Sequence, residues 1–300
     1  MDESQEIKIF SIYSAIVESI SLFFKSVNAF YLGLISIIFG SIFFAINYFR
    51  ISSSYLNGLS NMNSKISKHL SLQINSFVSH NLNVIILVII VAIVYLLVSI
   101  YFTSISSAGL INYVIKGDMH ENFNDSWRYG KSTWVDYFVF LILYYLIYVI
   151  SFFILLLLIS FLTIIVPPLG LILLVLLILS IFIAVPLSSI GVRLVIDRKT
   201  DIVEAIKNTY ISFWKNIGFY LKVILFYLLV LILLSLIFSY GIEFLIIIVT
   251  QSLFRSNIYL GITSGVIGIF IVIYISAFIN VFSSAFWSKV YVYLRDNNHL

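Results

Sequence analysis

Apolar residues fill this chain in long uninterrupted blocks, not in the alternating or one-in-four patterns of water-soluble elements. Six blocks, at 27–49, 84–107, 137–161, 169–189, 219–240 and 259–284, each reach the roughly 20 residues that a helix needs to cross a hydrocarbon core about 30 Å thick. Residues 140–187 contain no charge at all. The only interruption there is Pro167-Pro168 followed by Gly170, which predicts a turn that folds the third and fourth blocks into a tight hairpin. The pattern predicts an all-α, polytopic integral membrane protein with six transmembrane helices.

Two shorter stretches carry a helical period instead. Ile9, Ile12, Tyr13, Ile16, Val17, Ile20, Phe23 and Phe24 fall on one helical face, with Lys8, Ser11, Ser14, Glu18 and Lys25 opposite. Ile202, Val203, Ile206, Tyr210, Phe213 and Ile217 repeat the design before the fifth block. Such segments are expected to lie in the inner membrane interface as amphipathic helices, apolar face toward lipid and charges toward the cytosol.

The two patterns combine into an internal repeat. The second block ends in Ser106-Ser107-Ala108-Gly109, the fourth in Ser188-Ser189-Ile190-Gly191 and the sixth in Ser283-Ser284-Ala285. Ser14-Ala15-Ile16 leads to Phe24-Lys25 before the first block, and Glu204-Ala205-Ile206 leads to Trp214-Lys215 before the fifth. Phe123, Trp127 and Trp134 precede the third, where Gly130 and Lys131 interrupt the amphipathic stretch. The chain is thus expected to be one membrane domain, 1–300, made of three repeated hairpins at approximately 7–118, 119–200 and 201–300. Each is introduced by a cytosolic interfacial helix, and Phe24, Trp134, Trp214 and Trp287 are expected as interface anchors.

Composition agrees with a lipid environment, at 62% apolar and 10% charged residues, against about 25% charged in soluble domains. The net charge of +4 gains meaning from its placement. With the N-terminus inside, the inner segments hold Lys8, Lys25, Lys116, Arg128, Lys131, Arg193, Arg198, Lys199, Lys207, Lys215, Lys289 and Arg295. The outer ones hold Arg50, Lys65, Lys68 and Arg255, so the count is twelve against four. That bias predicts a multi-pass protein of the cell membrane with both termini cytosolic. The acidic start, residues 1–6, lacks the basic region of a signal peptide and reads as mature.

Candidate chemistry is sparse. There is no cysteine, and His69, His80, His120 and His299 have no second ligand at metal spacing, so no metal or cofactor is expected. Glu243 is the one carboxylate close to an apolar block, and a span ending near residue 240 puts it at the outer interface. Phosphate loops and nucleophile elbows are missing, and no enzymatic activity or nucleic-acid partner is expected. What remains is a set of small polar residues: Ser106, Ser107, Gly109, Ser188, Ser189, Gly191, Asn280, Ser283 and Ser284. Two readings stay open for them. They let helices pack closely, or they surround a polar cavity that opens to the cytosol.

Short motifs add a resemblance. Ser107-Ala108-Gly109-Leu110 followed by Phe123-Asn124-Asp125-Ser126-Trp127, and Val195-Ile196-Asp197 followed by Ile202-Val203-Glu204-Ala205-Ile206 and Phe213-Trp214-Lys215, resemble the six-helix membrane domain attached to some glycerophosphoryl diester phosphodiesterases. It is similar to related uncharacterised prokaryotic membrane families as well. In those relatives the hydrolytic chemistry sits in a separate soluble barrel, so the resemblance implies a membrane module without catalytic residues of its own.

Two functions are therefore expected. The first is a non-enzymatic scaffold or accessory module whose cytosolic face organises membrane lipid or a cytosolic or membrane protein partner. The alternative is a small-molecule or lipid transporter with a polar cavity between the even-numbered spans, for which a cavity lined by Ser106, Ser188 and Ser283 would speak. A centre filled by side chains would speak against it.

Overall fold

The computed structural model describes residues 11–40, 82–116, 122–198, 200–297 and 299–300. Every regular element among them is helical: α1 Ile12–Lys25, α2 Val27–Gly40, α3 Leu82–Lys116, α4 Phe123–Ile165, α5 Pro167–Arg198, α6 Ile202–Lys215 and α7 Ile217–Ser235. A π-helical stretch, Leu236–Glu243, then leads into α8 Phe244–Ser256 and α9 Ile258–Asp296. Four stretches, Ile89–Lys116, Phe123–Thr163, Ile217–Phe238 and Tyr259–Asp296, are long and apolar enough to cross a membrane. A fifth span arises if α1 and α2 are taken together. The protein is therefore an all-helical, multi-pass membrane protein. Most of the expected outer loop 50–82, the distal part of the first span, Lys8, Ile9, Lys199, His69, His80, His120 and the repeat boundary near Asp118 lie outside the described residues.

Two compact units are present, Met1–Leu34 with Ser104–Leu300, and Ile35–Thr103. In the second, the hydroxyls of Ser99 and Thr103 donate to the carbonyls of Phe39 and Ser36, the latter at 3.5 Å, and Phe39 stacks on Phe102 at 4.6 Å. Hydroxyls on one helix satisfied by carbonyls of the next are the close-packing use of small polar residues.

In the first unit the core gathers at particular helix ends. It takes Ala108 and Ile111 from the end of α3, Phe140 and Tyr144 from the first half of α4, Leu187 to Ile196 from the end of α5, Tyr220 to Tyr227 from α7 and Phe282 to Leu294 from the end of α9. The ends of α3, α5 and α9 thus share one core with the starts of α4 and α7. Elsewhere α4 presents Leu146, Ile150, Phe153 and Leu157 outward, an apolar stripe at helical spacing that suits contact with lipid. Val166 closes the α4–α5 turn, its N–H bonded to the Leu162 carbonyl at 2.7 Å and its own carbonyl accepting from Leu169 and Gly170. A side chain at Gly170 would run into the Thr163 backbone, so the turn needs glycine there. Tyr144 then donates to the Ala184 carbonyl at 2.9 Å as α5 runs back along α4.

The short helices break for identifiable reasons. α1 starts at Ser11, whose hydroxyl accepts from the Ser14 N–H, and stops at Ser26, which is extended (φ −115°, ψ 104°) and turns the chain through 89° into α2. Ser26 holds that corner twice, accepting from Ala29 N–H at 3.1 Å and donating to the buried Tyr113 hydroxyl at 2.8 Å. Replacing Ser26 with alanine removes a helix cap and strands a buried phenol, and is expected to cost about 1–2 kcal/mol in thermal melts of the purified protein. α6 begins on an Asp201 cap and ends at Asn216.

No such break occurs before the third span. α4 is one helix of 43 residues, so the separate interfacial segment expected around Phe123 to Trp134 is instead its first three turns. After the membrane-crossing stretch Ile217–Phe238 the helix does not stop: Leu236 and Phe244 both keep α-helical dihedrals, and it runs through the π stretch into α8.

Candidate functional site

Five of the six paired serines meet. A pocket of about 210 Å³ is lined from α3 by Ser107, Leu110 and Ile111, from α5 by Ser188, Ser189, Val192 and Arg193, and from α9 by Ser283, Ser284 and Trp287. Counting from the second serine of each pair, the residues three positions on (Leu110, Val192 and Trp287) all face it. One more turn of α9 adds Asn280, and α4 contributes Tyr137, Leu141 and Tyr145 at steps of four residues. Val185 lies just before Pro186, which has no N–H to continue the helical ladder.

Its polar wall is held by bonds between helices. Tyr227 and Ser283 share a hydrogen bond of 2.6 Å and Tyr145 and Ser188 one of 3.3 Å, while Ser188 also donates back to the Val185 carbonyl. Arg193 is 3% exposed. Its Nε donates to the Ser288 hydroxyl at 2.9 Å, Nη1 to the Ser189 carbonyl at 2.5 Å and Nη2 to the Ser284 carbonyl at 2.7 Å. Every one of these acceptors is neutral. No carboxylate approaches Arg193 within 4 Å among the described residues, since the acids that form ion pairs there serve Lys289 and Arg295.

Two donors of the wall are orphaned. Among the described residues, an amide nitrogen of Asn280 and the indole N–H of Trp287 are buried without a close hydrogen-bond partner, the nearest acceptor to the indole being the Tyr227 hydroxyl. Buried polar groups are normally satisfied, and each exception needs a cause.

The other candidate residues take packing roles. Ser106 donates to the Leu32 carbonyl of α2. Gly109 lies against the backbone of α4, where an added Cβ would come within 2.7 Å of the Ser126 carbonyl oxygen, and Gly191 lies against the ring of Phe140 and the hydroxyl of Thr209. Phe24 and Trp214 are both 69% exposed, as lipid anchors would be, and Trp134 is half-buried. Trp287, expected as a fourth anchor, is 1% exposed and forms pocket wall instead. The reason is that α9 continues three turns beyond the expected membrane boundary and packs there.

Arg193 is the residue that sequence reasoning passed over, counted only as one of the inner basic charges. A signal existed. It follows Ser189 by four positions, so it shares that serine's helical face and must turn inward wherever the serine does.

Beyond the pocket, Asp197 accepts from the Tyr291 hydroxyl at 2.8 Å and from Arg295 at 3.0 Å, tying the end of α5 to α9. Of the stretches that carry the resemblance, Ser107 and Leu110 stand in the pocket wall and Asp197 in this ion pair. Comparison with protein-family models, with curated proteins and with solved structures gives no match for this chain.

Proposed function

We propose that the protein is a non-enzymatic, six-span protein of the cell membrane with cytosolic termini. In this reading it binds a small polar molecule or the polar head of a lipid in the pocket between its even-numbered spans, as a transporter or carrier. The observation that carries it is the convergence of Ser107, the Ser188-Ser189 pair and the Ser283-Ser284 pair, far apart in sequence, on one polar pocket, with buried donors in its wall that find no acceptor among the described residues. α2 begins the first span and the apolar, 32-residue α5 supplies the fourth. The matching offsets at which α3, α5 and α9 contribute support the threefold repeat of hairpins, and the likeness to the phosphodiesterase-linked membrane domain is kept as a kinship of membrane modules only.

Filling the pocket is the direct test. Leu141→Trp puts an indole into the cavity from α4. Native mass spectrometry of detergent-purified protein is expected to find a small molecule or lipid retained by the natural chain and lost from the variant. Equal retention by both would overturn the reading.

A scaffold role at the cytosolic face has its own support. On α1, Tyr13 (79% exposed), Val17 and Phe24 stand outward beside Glu18 and Lys25, and α6 presents Val203 and Trp214 beside Glu204 and Lys215. Apolar and charged groups side by side on short exposed helices suit a membrane interface. Deleting residues 7–24 should then weaken association with lipid or a partner while leaving the long helices inserted.

A further inference from the structure

The lining of the pocket is rich in donors and contains no acid. Arg193 engages three of the five guanidinium N–H groups, so one hydrogen on each terminal nitrogen is left over. Among the described residues, the Asn280 amide adds an unpartnered donor from α9, and the Trp287 indole, beside the Tyr227 hydroxyl, adds a further N–H without a close acceptor. An unpaired buried guanidinium costs several kcal/mol, which neutral acceptors offset only in part. Packing does not call for that charge, because the position four after the serine pair is filled by Ile111 on α3 and by Ser288 on α9. Asp197, one turn further along α5, is committed to Tyr291 and Arg295.

We infer that the pocket holds a phosphate group, either the head of an amphiphile or free phosphate, with Arg193 as its counter-charge. This rests on the pocket being a binding site, as proposed above. A phosphate offers several acceptor oxygens in a tetrahedral arrangement and no obligatory donor, the complement of donors that converge from α5 and α9. The guanidinium fork suits it, since planar paired N–H groups match phosphate oxygens. Size agrees: about 210 Å³ is enough for a phosphate head and below the roughly 300–1,000 Å³ of pockets that enclose drug-sized molecules. Leu110, Ile111, Leu141, Val185 and Val192 give the same pocket an apolar side for the glycerol or first acyl carbons.

The test uses the full chain, stripped of lipid in dodecyl maltoside, with three probes: dioleoyl phosphatidic acid, dioleoylglycerol and inorganic phosphate. Thermal melting and native mass spectrometry are the readouts. Phosphatidic acid is expected to raise the melting temperature and to remain bound as a single copy, and dioleoylglycerol to do neither. Arg193→Met should weaken phosphatidic acid about 30-fold or more, the scale for losing a buried charged partner, and Asn280→Leu about tenfold. Arg193→Lys, which keeps the charge and loses the fork, should fall between wild type and Arg193→Met. A shift by inorganic phosphate equal to that of phosphatidic acid identifies the free ion as the ligand, and a much smaller one identifies the lipid head.

Equal binding of phosphatidic acid and dioleoylglycerol overturns the inference, as does phosphatidic acid binding undiminished by these substitutions. Should Arg193→Met not purify, Arg193→Lys and Asn280→Leu decide alone. If dioleoylglycerol binds and Leu141→Trp abolishes it, the pocket reading stands while the phosphate falls. Retention of none of the three probes overturns both.

Discussion

Gly130→Leu is expected to leave almost no folded protein. α3 and α4 cross backbone to backbone at this point: a Cβ on Gly130 would strike the Ile105 carbonyl oxygen and come within 3.1 Å of the Gly109 nitrogen. The facing Gly109 meets the Ser126 carbonyl in the same way. Neither neighbour is the end of a flexible side chain, so the helices themselves must separate. Overpacking a tight contact costs about 1–3 kcal/mol, which is the expectation for Gly130→Ala. Leucine adds three further carbons and should force the crossing apart, removing Ser107, Leu110 and Ile111 from their partners on α5 and α9. Size-exclusion chromatography and thermal melting in detergent check this. Gly218→Leu is the control: among the described residues nothing lies within 4 Å of its Cβ position, and the variant should melt like the natural protein. A native-like Gly130→Leu would mean that the crossing does not hold the pocket together.

Gly130 also marks where sequence reasoning reached its limit. A glycine next to a lysine inside an amphipathic stretch reads as an interruption. In the fold it is neither a break nor a cap but the contact point of two continuous helices, and only the position of α3, distant in sequence, reveals that. The breaks at Ser26 and Asn216, by contrast, fall where the sequence changes from an amphipathic to a fully apolar period, at the start of the blocks 27–49 and 219–240. The serine pairs were legible as a pattern, with their meaning open. Ser99, Thr103 and Ser106 turn out to bond to carbonyls of α2, while Ser107, Ser188, Ser189, Ser283 and Ser284 line the pocket. Two adjacent serines on one helix face different neighbours, a distinction that repeat spacing does not carry.

Charge and aromatic placement misled for a related reason. Positive-inside counting assigns a side of the membrane, not a direction, so Arg193 was pooled with basic residues that face water. Trp287 was read as an anchor because it lies just past an apolar block, where tryptophans commonly reach the interface. Both readings assume that a span's packing stops where its hydropathy does. In this fold full burial continues beyond that point: Phe286, Val290, Tyr291 and Leu294 of α9 are fully buried, along with Ile190 and Ile196 of α5.

That buried end of α5 and α9 makes Arg193 and Ser288 a pair whose coupling can be measured. Ser288→Ala leaves the guanidinium Nε without its acceptor in a site where Ser288 is fully buried. Losing a hydrogen bond to a charged group is expected to cost about 1.5–3 kcal/mol. In an Arg193→Met background the same change should cost less than about 0.5 kcal/mol, because no charge remains to be stranded. The difference, about 1–2.5 kcal/mol, is the interaction energy of the pair and falls within the range for residues in contact. Arg193→Met alone should stay within about 1 kcal/mol of the natural protein, since a buried charge replaced by an apolar chain of similar length is often neutral. The Ser189 and Ser284 carbonyls also keep their places inside α5 and α9. Thermal melts of the two single variants and the double variant give all three quantities. A stability that survives the loss of Arg193 would mean the fold carries this cation at no benefit to itself, so its presence belongs to what the pocket binds. A loss of several kcal/mol in Arg193→Met would make it a strut between α5 and α9 instead.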